Sequence, residues 1–244
     1  MAIPFLQGEQ LAQLRRQLQM RERDRSLPDP TLWSTGCREL DSLLPQRGLR
    51  RGTVLEWLSA GPGSGTSALA LAAMRSVVAT GGVVVVCDRE AAFFPTALLA
   101  AGIDLRRVIV VRAKSAADHR WAIDQSLRST AIAFVWARLA QLDDKTARRF
   151  QLAAERGGAI GCFIRPVAVR GQPTWAEVQL CVTPLGGQEL RAWRVECTRA
   201  RGPTPTTTIH LGWEETTGTL RALPVPHETH PLPVAARLVH ATRA

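Results

Sequence analysis

The sequence predicts an α/β protein, a three-layer domain built on a largely parallel sheet. Three observations lead there. Continuous apolar runs, which suit strands buried on both faces, alternate with helical segments from residue 53 to 163. A glycine-rich loop joins the first of these strands to a helix rich in alanine and leucine. The chain has 244 residues, 45% hydrophobic and 21% charged, which is ample for one sizeable core.

The chain is expected to divide into an N-terminal helix and linker (1–33), a core domain (34–203) and a loosely ordered, proline-rich tail (204–244). Residues 8–23 read as an amphipathic helix, with Leu11, Leu14 and Leu18 on one face and Arg15, Arg16, Arg21 and Arg23 around the rest. Its leucine stripe suits either the protein's own core or a partner. Pro28 and Pro30 end the helix.

The first buried strand, Val54-Leu55-Glu56-Trp57-Leu58-Ser59, runs into Ala60-Gly61-Pro62-Gly63-Ser64-Gly65-Thr66-Ser67 and then the helix. That is the layout of a phosphate-binding loop, whose backbone N–H groups and helix N-terminus cradle an anion. The working pattern is G-x-x-x-x-G-K-[ST], with the lysine on the β/γ-phosphates and the hydroxyl on Mg²⁺. Registered on Gly65 and Ser67, the first glycine becomes Ala60 and the lysine becomes Thr66. Gly61, Pro62, Gly63, Ser64, Gly65, Thr66 and Ser67 are the candidate nucleotide-binding residues, and their main charge is missing.

Upstream, Thr35-Gly36 is followed by Leu40-Asp41 and Leu43-Leu44, then by Gly48-Leu49, Gly52, Val54 and Glu56. These blocks, T-G-x-x-x-L-D-x-x-L and G-L-x-x-G-x-[IV]-x-E before a phosphate loop, resemble the opening of a RecA-type ATPase core. The resemblance implies a RecA-like (P-loop NTPase) fold. The next strand, 82–87, ends in Asp88-Arg89-Glu90-Ala91. In the family a D-x-E block here carries the glutamate that polarises the attacking water, so the resemblance implies a catalytic role for Glu90. A strand-end acid capping the next helix explains it equally well.

Strands at 108–111 and 131–135 and a helix from 119 to 129 continue the order. A working ATPase needs an aspartate at the end of the second of these strands to organise Mg²⁺, and Trp136 or Ala137 stands there. Lacking both lysine and aspartate, the chain has lost most of the electrostatic stabilisation that phosphoryl transfer depends on. A helix at 145–156 and a strand at 159–163 follow, ending in Arg165-Pro166. The loops that hold single-stranded DNA in RecA are cut short. Segments 178–182 and 191–197 alternate as added strands, with Trp193, Val195 and Cys197 on one side. One further short strand is expected at 219–223.

Trp136-Ala137-Arg138-Leu139, Arg148 to Glu155, Phe163 to Pro166 and Arg191 to Pro203 are similar to blocks of the ImuA family, RecA-like accessory proteins of bacterial mutagenic DNA repair. This resemblance implies a non-catalytic adaptor in damage-induced translesion synthesis. Its implied partners are an ImuB-like Y-family polymerase homologue, an error-prone replicative-type polymerase, RecA, and DNA. Arg148, Arg149, Arg165, Arg199 and Arg201 are then contact candidates, against a simpler role for each as a solvated or structural ion pair. The alternatives are a DNA-dependent ATPase with a non-standard loop, and a regulator that binds ATP and Mg²⁺ weakly without turnover.

The net charge of +10, with arginine far outnumbering lysine, favours nucleic acid or acidic partners, or reflects arginine-biased codon usage. The five cysteines form no C-x-x-C pair, so they are read as core residues and no metal site is expected. No apolar run reaches about 18 residues and no signal pattern opens the chain, which points to the cytoplasm and to no membrane partner.

Overall fold

The computed structural model describes residues 32–91, 93–186, 191–204, 206–214 and 216–224. The helix expected at 8–23 and residues 225–244 lie outside them. The described residues form a nine-stranded sheet with helices on both faces. Its strands are β1 (Val54–Ser59), β2 (Val84–Cys87), β3 (Val108–Val111), β4 (Phe134–Arg138), β5 (Ile160–Pro166), β6 (Val178–Leu185), β7 (Ala192–Ala200), β8 (Thr208–Glu214) and β9 (Thr219–Ala222). The order across the sheet is β9-β8-β7-β6-β1-β5-β4-β2-β3. β6, β1, β5, β4, β2 and β3 pair in parallel, and β7, β8 and β9 extend the sheet antiparallel beyond β6.

Strand alternation splits the core in two. Leu55 and Trp57 of β1, with Phe134 and Trp136 of β4, pack against Leu69, Ala70, Ala73, Met74 and Val77 of α2 (Thr66–Ala79). α1 (Arg38–Ser42) and α3 (Pro95–Ala100) supply Leu40 and Leu98 to the same layer. Val54, Val85 and Val135 face the other way, onto Ile123 and Leu127 of α4 (Ala116–Arg128) and Phe150, Ala153 and Ala154 of α5 (Asp144–Gly157). Both faces of the central strands are thus apolar, and helices must cover each, which gives a three-layer sandwich. Burial pushes the Cys87 and Cys162 thiols up to about 12, as suits apolar core residues.

Helix starts follow the sequence closely. Ser115 caps α4 by accepting from Asp118 N at 3.0 Å while donating to the Asp118 carboxylate at 2.8 Å. Asp143 caps α5 by accepting from Thr146 N at 2.9 Å and from its hydroxyl at 2.7 Å. α4 and α5 cross closely at Gly157, where a Cβ would fall 2.0 Å from Leu127 O.

The core does not end at residue 203. β8 follows directly and carries Ile209, Leu211 and Trp213 onto the α2-side core, with Leu211 fully buried. The expected loose tail therefore begins as two sheet strands, because three alternating apolar residues suffice to extend a face already started by Trp193 and Val195.

Candidate functional site

The loop between β1 and α2 has the backbone of a phosphate cradle. Gly61, Gly63 and Gly65 all have positive φ (135°, 79° and 82°), and Gly65 caps α2. Its side chains, however, are turned on one another. Ser59 Oγ receives Gly61 N at 3.2 Å and lies 2.8 Å from Ser64 Oγ, which lies 2.8 Å from Thr66 Oγ1. Thr66, at the lysine position, is 2% exposed and spent on this hydroxyl chain. Pro62 and Gly63 are exposed at the tip. Beneath the loop lies Trp193 of β7, whose indole nitrogen would sit 1.7 Å from a Cβ on Gly65. No other residue type fits there.

Ser67, the Mg²⁺-organising position, accepts instead from the Arg138 guanidinium at 2.9 Å. The parity of β4 explains why. Phe134 and Trp136 face α2, and Arg138 continues that face to the strand end, while Ala137 points toward α5. The expected vacancy at Trp136 or Ala137 is thus filled one residue later by a cation. A guanidinium against Ser67, with no lysine in the loop and no carboxylate bonded to that hydroxyl among the described residues, does not fit a Mg²⁺–nucleotide complex. No catalytic step follows from this loop. The cation that α2 itself carries, Arg75, does not supply the missing charge, since it donates to Gly218 O at 2.8 Å.

Glu90 follows β2 and is exposed, with no hydrogen bond or ion pair among the described residues. The sheet order places two strands, β5 and β4, between β1 and β2. The buried acid of that block is Asp88, which accepts from Phe93 N at 3.1 Å.

The five arginines separate. Arg165 is 8% exposed and pairs with Glu56, itself 1% exposed, at 3.0 Å. It is therefore no surface contact, because β5 parity turns it inward with Phe163 and away from Ile164. Arg149 reaches Asp124 at 3.3 Å, beside Arg128 on the same carboxylate at 2.8 Å, and ties α5 to α4. Arg148, Arg199 and Arg201 are exposed without an ion-pair partner among the described residues. Arg148 and Arg201 flank the Trp175 ring at 5.1 and 5.8 Å from its centroid. Sequence reasoning missed Arg138, Trp193, Trp175, Gln179 and the pairing of Glu56. A lone charge inside the apolar run of β1 was the readable signal for the last.

No protein-family model matches the chain. It is 28% identical over 233 residues to Protein ImuA from two strains of Caulobacter vibrioides, covering 86% of this chain and 91% of that protein. The crystal structure of the RadB recombinase superposes with a TM-score of 0.62 at 17% identity, covering 79% of this chain and all of the recombinase chain. The fold is RecA-like.

Proposed function

We propose that this protein is a RecA-shaped accessory factor of damage-induced translesion synthesis that carries out no phosphoryl transfer. The observation that carries the non-catalytic part is the Arg138 guanidinium on Ser67, where a working site needs a metal and its carboxylate. Similarity to Protein ImuA supplies the setting. In this reading the protein is an adaptor for an ImuB-like Y-family polymerase homologue and an error-prone replicative-type polymerase, with RecA as a third partner. Arg148, Arg199 and Arg201 form its contact face toward partner or DNA.

A second reading is favoured by the loop backbone alone. Three positive-φ glycines at a helix N-terminus can hold a phosphate without metal, which would make the protein a nucleotide-gated regulator. Calorimetric titration with ATP, with and without Mg²⁺, and an assay of released phosphate separate the two. No Mg²⁺-dependent heat and no phosphate is the expected result; Mg²⁺-dependent binding with turnover would overturn the non-catalytic reading. Co-purification with an ImuB-like partner, lost in an Arg148→Ala, Arg199→Ala, Arg201→Ala variant, tests the adaptor part.

A further inference from the structure

Glu56 belongs to the sheet face opposite the phosphate loop, and there it floors a cavity of about 400 Å³. That size lies within the roughly 300–1,000 Å³ of ligand pockets. The floor is a polar network of buried groups. Arg165 NH1 donates to Glu56 Oε1 at 3.0 Å, and Gln179 Nε2 donates to Glu56 Oε2 at 3.0 Å. Gln179 Oε1 accepts from the Thr198 hydroxyl at 3.0 Å. Arg165 Nε is enclosed and has no hydrogen-bond partner among the described residues, so the cavity meets the guanidinium at its remaining surface rather than at this N–H. The ion pair thus offers the cavity only its small accessible edge, while Leu142, Val169 and Pro173 give the walls apolar surface beside the polar side chains of Gln172 and Thr174.

The mouth has different chemistry. Asp144 lines the cavity and accepts from Trp175 Nε1 at 2.7 Å. Trp175 is thereby tied to the cavity's edge through Asp144, and the guanidiniums of Arg148 and Arg201 both lie over its ring. A guanidinium–carboxylate pair at the end of a slot with mixed apolar and polar walls suits the polar edge of a nucleobase. An aromatic ring with two arginines outside it suits the sugar and phosphate that follow.

We propose that this cavity binds one nucleotide, with its base inward against Arg165 and Glu56 and its phosphate outward at Arg148 and Arg201. The site is separate from the phosphate loop and uses no metal. It rests on the arginine face named above, for which it supplies a ligand. The nucleotide is either free or one unit of a single strand, and the two sources share the same recognition chemistry.

The test uses the full chain and fluorescence anisotropy at two salt concentrations. The probes are the four homopolymeric single-stranded DNAs, an abasic strand of equal length, the four mononucleotides as competitors, and inorganic phosphate. At least one base-bearing strand is expected to bind about tenfold or more tighter than the abasic strand, as one well-held base provides. Ala147→Phe and Val169→Trp fill the cavity from two different walls, and circular dichroism verifies their folding. Each is expected to remove that preference while leaving the abasic affinity unchanged. Arg148→Ala with Arg201→Ala is expected to weaken every strand and flatten the salt dependence. Competition by a mononucleotide, but not by phosphate, identifies a free nucleotide as the ligand; preference without such competition identifies the strand. Equal affinity for abasic and base-bearing strands, or a preference that survives both filled cavities, overturns the proposal. So does an absence of binding by every probe, including the case where the cavity binds only a partner peptide. Partner co-purification reads the adaptor role independently, so either idea can fall alone.

Discussion

Thr66 and Arg138 together decide what the loop can do, and each is informative in a different way. Thr66 is legible in the sequence because a motif position is counted along the chain. Arg138 is not, because its effect depends on which strand face meets the loop, and a shift of one residue reverses that face. Thr66→Lys is therefore expected to leave phosphate release at background, since Ser67 still accepts from Arg138 and no carboxylate joins it. Robust turnover of ATP by that variant would remove this account of the site. Glu56 presents the converse case, a charge whose partner lies 109 residues away and is invisible to local pattern. Glu56→Ala strands the buried Arg165 guanidinium and is expected to cost about 3–5 kcal/mol in urea unfolding. Glu56→Leu combined with Arg165→Met should cost clearly less. Equal losses for the single and double variants would show that packing, not the ion pair, is what matters there.

At the scale of elements, sequence patterns located most strands and helices of the parallel half, because caps and periodicity are local, although the strand expected at 131–135 spans Phe134–Arg138. The helix expected at 145–156 spans Asp144–Gly157, opened by Asp143 as its cap. The hydrogen bonds from the Thr146 side chain and backbone hold the Asp143 carboxyl below its usual value. The folded state thus favours the charged form. This contribution is fully present above the unfolded value of about 3.9 and is lost as pH falls through the lower folded value. Asp143→Asn is expected to lower the urea midpoint at pH 7 and to match the unsubstituted protein at the acid end. A midpoint difference that persists unchanged at pH 2 would contradict the cap assignment. β8 was less legible than α5. Its Ile209, Leu211 and Trp213 alternate correctly, but Pro203 and Pro205 precede them and Thr206-Thr207-Thr208 hides the start.

The whole molecule joins two sheet regimes, and the phosphate loop lies where they meet. Parallel strands from β1 to β3 carry the RecA-like layout, while β6 passes the sheet to three antiparallel strands. β7 is the hinge of that arrangement, since it sends Trp193 against Gly65 on one side of the chain's order and pairs with β8 on the other. Removing everything after Pro203 would leave β7 as an edge and uncover the core around Leu211, Ile209 and Trp213. Full burial of Leu211 is worth about 1.5–3 kcal/mol and the half-buried Ile209 and Trp213 add a part of that each, so the shortened chain is expected to lose several kcal/mol and to melt well below the full one. Its indole environment at Trp193 should change as well, read as a shift in tryptophan fluorescence relative to a Trp193→Phe control. If the shortened chain instead melts cooperatively at the same temperature, the core ends at 203 as its composition first indicated. The loop would then be held by the parallel half alone, and Trp193 would owe its position to β6 rather than to the strands beyond it.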